Sequence, residues 1–506
     1  MPGGITVRDT GQGRWQNWHQ TVDQSLERWL VVANADLFHS TIEGYNATTQ
    51  GLQDLMRQAQ EKDLSIRAHG GTWSFSPVAA TEGVLLNTQP LNYRFPIDAA
   101  DRHPLNPTAG PLVFAQCGMA VVELNRFLSG ANMALQTCGA SNGQTIAGAI
   151  STGTHGAALR FGAMQDYVRA LHLIVSPDES VWLEPESSPA VRDELASFVN
   201  ARLVRNDEQF YAALVSFGSF GLIHGVLLEV APMYYLQCWR ETLDLDNRMW
   251  AAIASLDFSG LGLTGSANRQ PDHFQVLINP FDQAGHGVVT AMYRVPTRPP
   301  GSTPPKMGSE WSQGDSAFEA VGLLTDILPD TSALLASLLD KLTATRIDDV
   351  CGQPGQMFRD TTTRGKTAGA AFGVAIDRTK DAIAVARAEI QRVKAPALLA
   401  IRLVKATKAT LGFTRFEPAT AVIDVDCPQS NRQRELLHNL WLALEQAAIP
   451  FTFHWGKLNE TDRDRIRRMY GPRVDRWLAA RRTLLPTPEL RRLFANSYTD
   501  RAGLSD

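Results

Sequence analysis

Three clusters of small residues in the first half of the chain have the composition of turns that close around an anion. The first is His69-Gly70-Gly71-Thr72-Trp73-Ser74-Phe75-Ser76. Adjacent glycines let the backbone bend and approach a ligand with no Cβ in the way. Their N–H groups, with the Thr and Ser hydroxyls, form a nest suited to pyrophosphate oxygens. The second runs Gly139-Ala140-Ser141-Asn142-Gly143-Gln144-Thr145-Ile146-Ala147-Gly148 and on to Ser151-Thr152-Gly153-Thr154-His155-Gly156. So long a small-residue run fills a core poorly and suits a buried dinucleotide backbone. The third is Ser216-Phe217-Gly218-Ser219-Phe220-Gly221, directly before an apolar strand. Taken singly, the first and third fit plain turns better; the second does not. The Rossmann fingerprint G-x-G-x-x-G reads as absent, and so does GxxxxGK[ST]. A dinucleotide held here is held by another fold.

A second set of candidates lies near the carboxyl end. Arg402 is a lone charge in an apolar run, Leu398 to Val404, where a cation is costly unless paired or used. A structural salt bridge or an exposed edge strand accounts for it as well as function does. In His454-Trp455-Gly456-Lys457, His454 is either a general base titrating near neutrality or a hydrogen-bonded strand histidine. A lysine at a strand end, as Lys457 is, is ordinarily solvated. His155 follows a glycine-rich run and suits hydrogen bonding to a ligand or to backbone better than catalysis.

The elements that must position these residues can be read from periodicity. Leu52, Leu55, Met56 and Ala59 recur at helical spacing, and Ser65–Ala68 then reads as a strand that runs into Gly70-Gly71. Val121, Leu124 and Leu128 mark a second helix, followed by a strand over Met133–Gln136. The blocks Leu171–Val175 and Leu222–Val230 read as strands. From about Gly260 to Gly365 the chain reads as loop-rich, with Arg298-Pro299-Pro300-Gly301 and Thr303-Pro304-Pro305 as breakers. A cleaner unit follows: strands at Phe372–Ile376, Leu398–Val404, Ala421–Val425 and Phe451–Trp455, with helices through Ile383–Val393 and Leu437–Leu444. That order predicts a mixed or antiparallel sheet covered by helices on one face. The tail from Thr461 is helical and arginine-rich. Asp462, Asp464 and Asp475 interleave with its arginines, which reads as a solvated face and not a nucleic-acid site.

At 506 residues, with a net charge of −4, the chain predicts more than one domain and no positive field to gather nucleic acid or anionic membrane. The five cysteines are scattered without a CxxC pair, so no zinc site or redox dithiol is suggested. No signal peptide or membrane-spanning run is recognisable, which makes the cytoplasm the expected location.

In their order, the three turns resemble the FAD-binding domain of the vanillyl-alcohol oxidase type (PCMH-type) flavoproteins, from about Leu37 to Pro232. Arg67 to Ser74 is similar to the family's pyrophosphate loop. Gly143–Gly148 with Gly153–Gly156 is similar to its second flavin-contacting segment. Gly218 and Gly221 stand where the family packs backbone on FAD, with Val226 on the strand beside it. The carboxyl-terminal part resembles the sugar-lactone and alditol oxidase branch, which includes a sterol oxidase subgroup. His454-Trp455-Gly456-Lys457 carries that likeness, supported by Phe494-Ala495-Asn496-Ser497-Tyr498, and Ile401-Arg402 matches the strand bearing the branch's active-site arginine.

The resemblance implies an α+β chain of two main units. Residues 1–36 form an arm and 37–235 an FAD domain. Residues 236–455 form a substrate domain on a mixed or antiparallel sheet, and 456–506 a helical segment that returns to the FAD domain. It implies FAD as cofactor, hydride removal to the flavin from a CH–OH group of a sugar-, alditol- or sterol-like substrate, and oxygen or another electron acceptor. Arg402 and Lys457 would steady a developing oxyanion, with His454 in the same site. The chain departs from the family twice. Trp73 stands where many members carry the histidine that bonds FAD, which implies a non-covalent cofactor. Ala400 stands where the branch places an acid two residues before the arginine, which leaves the base open among a water, His454 and an acidic residue of the middle region. A flavin-dependent cyclase or coupling enzyme, or a flavin protein with a degenerate site, are the alternatives.

Overall fold

The computed structural model describes residues 5–36, 39–105, 110–267, 269–305, 337, 346–358 and 367–505. The helical spacing around Leu52 belongs to a helix spanning Ile42–Glu61. Thr41 caps it by accepting the Gly44 N–H, and Glu43 sits in its first turn, where a negative charge is favoured. Its buried stripe, from Tyr45 through Leu52 and Met56 to Ala59, packs between two sheets. The first sheet orders its strands Ile5–Asp9, Arg28–Asn34, Val84–Asn87 and Ile66–His69. The last three run parallel, so Ile66–His69 delivers Gly70-Gly71 at its carboxyl end. The second sheet orders Arg202–Arg205, Glu179–Glu184, Val168–Ser176, Leu222–Glu229, Leu112–Gln116 and Arg94–Ile97.

The second unit is built on one sheet of eight strands. In order these are Ile347–Gly352, Tyr235–Asp244, His286–Val295, His273–Ile278, Leu398–Lys405, Ala419–Pro428, Thr367–Ala375 and Phe451–Phe453. Every pairing in it is antiparallel. Side chains alternate faces along a strand. Leu399, Ile401, Ile423 and Val425 therefore join Ile383, Ala386, Leu436 and Leu440 of the helices Thr379–Val393 and Asn431–Gln446 in the core. Positions 398, 400, 402, 424 and 426 face the other way, into a cavity against the first unit. The expected α+β architecture, with helices on one face of an antiparallel sheet, is what the chain adopts.

Three readings need correction. Strands Ile5–Asp9 and Arg28–Asn34 stand in the first sheet where an arm is expected; Leu30 and Val32 are the buried alternation that places them there. The expected boundary at 37 lies outside the described residues. The loop-rich middle contains the strands His273–Ile278, His286–Val295 and Ile347–Gly352; the first two stand at the sheet's centre. Residues 306–336, 338–345 and 359–366 of that region lie outside the described residues. The predicted strand at 133–136 is reduced to Met133–Ala134. Among the described residues no helix is long and apolar enough to cross a membrane.

Candidate active site

The first two glycine clusters close on each other as well as around a space. A Cβ on Gly143 would lie 2.5 Å from the Trp73 indole, and one on Gly70 would collide with the Thr145 side chain. These glycines let two loops interlock. The third cluster bends through the left-handed region at Phe217, Gly218 and Gly221. Arg67, fully buried, binds it to the rest: its guanidinium donates to the carbonyls of Phe217, Gly218, Val78 and Phe494. Asn496 donates to the Val78 and Ala80 carbonyls at 3.1 and 2.9 Å. The helical tail thus returns to these loops, with buried Arg481 donating to the Ser219 carbonyl. From the other end of the chain, a hairpin of Arg14–Gln16 and Asp23–Ser25 lies over the first loop. Trp18 N–H donates to the Thr72 carbonyl at 3.0 Å, and Asn17 and Thr21 donate to those of Ser74 and Phe75 at 2.7 Å each.

All three clusters contribute to one cavity of about 620 Å³, within the range of small-molecule and cofactor sites. His69 through Ser76, Gly139, Ser141, Gln144, Thr145, Gly148, Ser151, Thr152, His155, Gly156, Gly218 and Gly221 stand in its wall. Gly143, Gly153 and Val226 do not. Gly143 is covered by Trp73, Gly153 ends a helix at φ +79° facing Phe413, and Val226 points into the core. The Gln144 side-chain oxygen is buried without a hydrogen-bond partner among the described residues, as a wall waiting for a ligand donor would be. A long cavity lined by backbone and small polar groups, with that orphaned acceptor, fits FAD.

The one histidine of the first loop, His69, is held by other partners. Trp73, which stands where the resemblance places an attachment histidine, lines the cavity. His69 has both nitrogens engaged: Nδ1 with the Gly70 carbonyl at 2.8 Å and Nε2 with Trp29 Nε1–H at 3.0 Å. Burial pushes its pKa down to about 4.

Across the cavity stands a buried charge cluster. Arg402 Nη1 donates to Asp424 Oδ2 at 2.8 Å, and its Nε to Gln275 Oε1 at 2.9 Å. Lys457 Nζ lies 3.1 Å from Asp426 Oδ1 and 3.6 Å from Asp424 Oδ1. Gly369 makes room for that ammonium, since a Cβ there would lie 2.8 Å from Nζ. Burial drives the Asp424 carboxyl up, but Arg402 and then Lys457 outweigh it and hold it below the usual range. Burial likewise opposes the Lys457 ammonium, and Asp426 and Asp424 more than restore it. Lys457, its side chain 20% exposed, is therefore a half-buried, paired cation and not the solvated lysine its position suggests.

His454 sits in the same wall, its ring 5.4 Å from that of His155. Its Nδ1 accepts the Gly456 N–H at 3.0 Å, so the hydrogen is on Nε2. Burial, then His155 and Lys457, push its pKa well down. The ring is a neutral donor to the cavity, which favours the hydrogen-bonded reading over the general base. His155 is also neutral, at a pKa of about 4 through burial, with Nδ1 on the Gly156 carbonyl at 2.8 Å.

Sequence reasoning missed the other half of this wall. Asp424 is wholly buried and lines the cavity. Arg240, Thr290, Gln275 and Arg402 are successive register partners across four strands, with Arg240 Nε donating to Thr290 Oγ1 at 3.0 Å. His273, two residues before Gln275, has both ring nitrogens buried without a partner among the described residues. The signal was present: in His273–Ile278 the apolar Phe274, Val276 and Ile278 alternate with cavity-facing residues.

The string Gly260-Leu261-Gly262-Leu263-Thr264-Gly265 does have the spacing G-x-G-x-x-G. This corrects the reading that the spacing is absent, but the string begins inside the short helix Ser259–Leu261 and takes no part in the cavity wall, so it lacks the strand-to-helix setting of a dinucleotide fingerprint.

Residues 45–183 match the FAD binding domain family. The chain is similar to the D-arabinono-1,4-lactone oxidase of Eremothecium gossypii, 27% identical over 39% of this chain and 34% of that protein. It thus spans about a third of that relative's length. Longer likenesses run to the L-gulono-1,4-lactone dehydrogenase of Mycobacterium tuberculosis, 24% identical over 89% of this chain and 93% of that one. The L-gulonolactone oxidase of Bos taurus is 21% identical over 96% and 98%. Among solved structures, a cholesterol oxidase from B. sterolicum superposes with a TM-score of 0.72 at 15% identity, covering 99% of this chain and 98% of that one, a likeness of fold.

Proposed function

We propose that this chain, which carries an FAD binding domain over residues 45–183, is an FAD-dependent oxidoreductase acting on a CH–OH group of a small hydroxylated molecule. The observation that supports this most is the placement of Arg402, Lys457 and Asp424 in the wall that faces the glycine loops across one cavity. When bound, the flavin supplies the hydride acceptor. The chain supplies the rest. The interlocked loops orient the cofactor, the sheet closes the cavity against water, and Arg402 and Lys457 stabilise the alkoxide-like oxygen as the carbonyl forms. Oxygen or another acceptor completes the cycle.

Cofactor attachment is non-covalent in this reading, supported by Trp73 and by the fully engaged His69. The polar row Arg240–Thr290–Gln275 beside Arg402 suits a substrate with several hydroxyls, such as the lactones in the relatives' names, better than a sterol. A cytoplasmic location is consistent with five buried, unpaired cysteines. The alternatives of a coupling enzyme or a degenerate site rest on the missing acid at position 400, the second also on the missing attachment histidine; Asp424 in the wall weakens the ground they share.

The test is the absorbance spectrum of the purified protein, followed by anaerobic titration with L-gulono-1,4-lactone, D-arabinono-1,4-lactone, an alditol and cholesterol. A flavin spectrum bleached by one of the first three is expected. A colourless protein that refuses added FAD ends the proposal.

A further inference from the structure

We propose that Asp424 takes the hydroxyl proton of the substrate, standing in from the neighbouring strand for the acid absent at position 400. This rests on the reading of the cavity as the site of a CH–OH oxidation.

Ala400 and Asp424 are direct register partners of two antiparallel strands, and both face the cavity. Opposed Cβ atoms lie about 4.5–5.5 Å apart. A carboxylate moved from one strand to the other therefore still reaches the same space, and the Ala400 methyl leaves that space open. The Asp424 side chain is wholly buried. A carboxylate in that setting persists only when paired or used, and here just one oxygen is fully paired. Oδ2 accepts from Arg402. Oδ1 has no hydrogen bond among the described residues, with Lys457 Nζ 3.6 Å away.

In the step, the substrate O–H bond breaks and an Asp424 Oδ1–H bond forms. The C–H hydrogen leaves with its electron pair to the flavin, the oxidant, and the carbon–oxygen bond becomes a carbonyl. Arg402 and Lys457 hold the oxygen meanwhile. The charged and titratable groups facing Asp424 are Arg402, Lys457, His155 and His454, with Asp426 bound to the same lysine. The two cations keep the carboxylate ionised, so it is ready to accept over the neutral range.

Asp424→Asn keeps the shape and removes the acceptor. With a substrate that bleaches the wild-type flavin, reduction should slow by roughly 10²–10⁴-fold. FAD affinity, read by flavin fluorescence quenching on the apo-protein, should stay within a few-fold. The acid limb of the wild-type rate profile should vanish in this variant. Ala400→Asp combined with Asp424→Ala should restore part of the rate and the limb, which a merely structural aspartate would not do. Independently, the carboxylate infrared band of the flavin-free protein that Asp424→Asn deletes should persist below the ordinary aspartate range. Unchanged reduction in Asp424→Asn, or a band that titrates above neutrality, overturns the assignment. A wild-type flavin that no carbinol bleaches removes the oxidation reading itself, and the role of Asp424 with it.

Discussion

The indole of Trp18 stacks on that of Trp73, ring centroids 5.6 Å apart and planes 14° from parallel. His19 meets the same Trp73 edge-on at 5.7 Å. The amino-terminal hairpin thus covers Trp73, the residue on which the proposal of a non-covalent cofactor rests. In that proposal, packing of this kind holds the loop that holds the cofactor. Trp18→Ala should remove an aromatic contact of about 0.5–1.5 kcal/mol and weaken FAD affinity up to about tenfold, read by equilibrium dialysis. Acid or heat should release all flavin from the wild type; flavin that stays on the denatured chain contradicts the non-covalent reading.

Arg402→Ala should lower turnover far more than cofactor binding. Loss of one preorganised donor at a developing oxyanion costs about 10²–10³ in kcat. Stopped-flow reduction of the bound flavin measures it, and a rate equal to wild type takes Arg402 out of the site.

Gly369→Ala tests the cluster from behind. The new methyl would lie 2.8 Å from both Lys457 Nζ and Asp426 Oδ1, so the ammonium must shift. The expected result is slower reduction with a normal flavin spectrum, and a larger loss of rate than of melting temperature. Equal activity would mean that the exact place of Lys457 is unimportant.

Asp166 gives a pH prediction. It is half-buried where the loop before Val168–Ser176 meets Thr407 of the second unit; Thr407 donates to its Oδ1 and Ala163 N–H to Oδ2. Burial raises its pKa to about 7, against the lowering effect of Thr407, Ala163 and Lys405. A group raised in the folded state stabilises fully below its unfolded value and loses that contribution as pH climbs through the folded one. Melting temperature should therefore fall between about pH 4 and 7 by this term, and Asp166→Asn should flatten the profile. An identical slope in both proteins shows that Asp166 does not carry it.

Much of the site was legible because it is local. Glycine clusters announce their turns within a few residues, and Arg402 announces itself as a charge among apolar neighbours. Asp424 was not legible as a site residue, although Ala421–Val425 reads as a strand and the structure extends it to Ala419–Pro428. Its meaning comes from standing opposite Ala400, and that register depends on how the chain from 406 to 418 returns, which no short window encodes. Gln275 and Thr290 were hidden for a second reason. Their strands face a cavity on one side, so polar residues interrupt the apolar pattern that marks a strand.

The carbonyl of Phe494 is bound by an arginine 427 positions earlier, on the strand that leads into the first loop. During synthesis the loop is made early and its anchor very late. At about 5–20 residues per second, the first loop waits some tens of seconds for its last partner. Cofactor capture should then wait until synthesis has passed Phe494, and fragments released before that point should leave the ribosome without the means to keep a flavin.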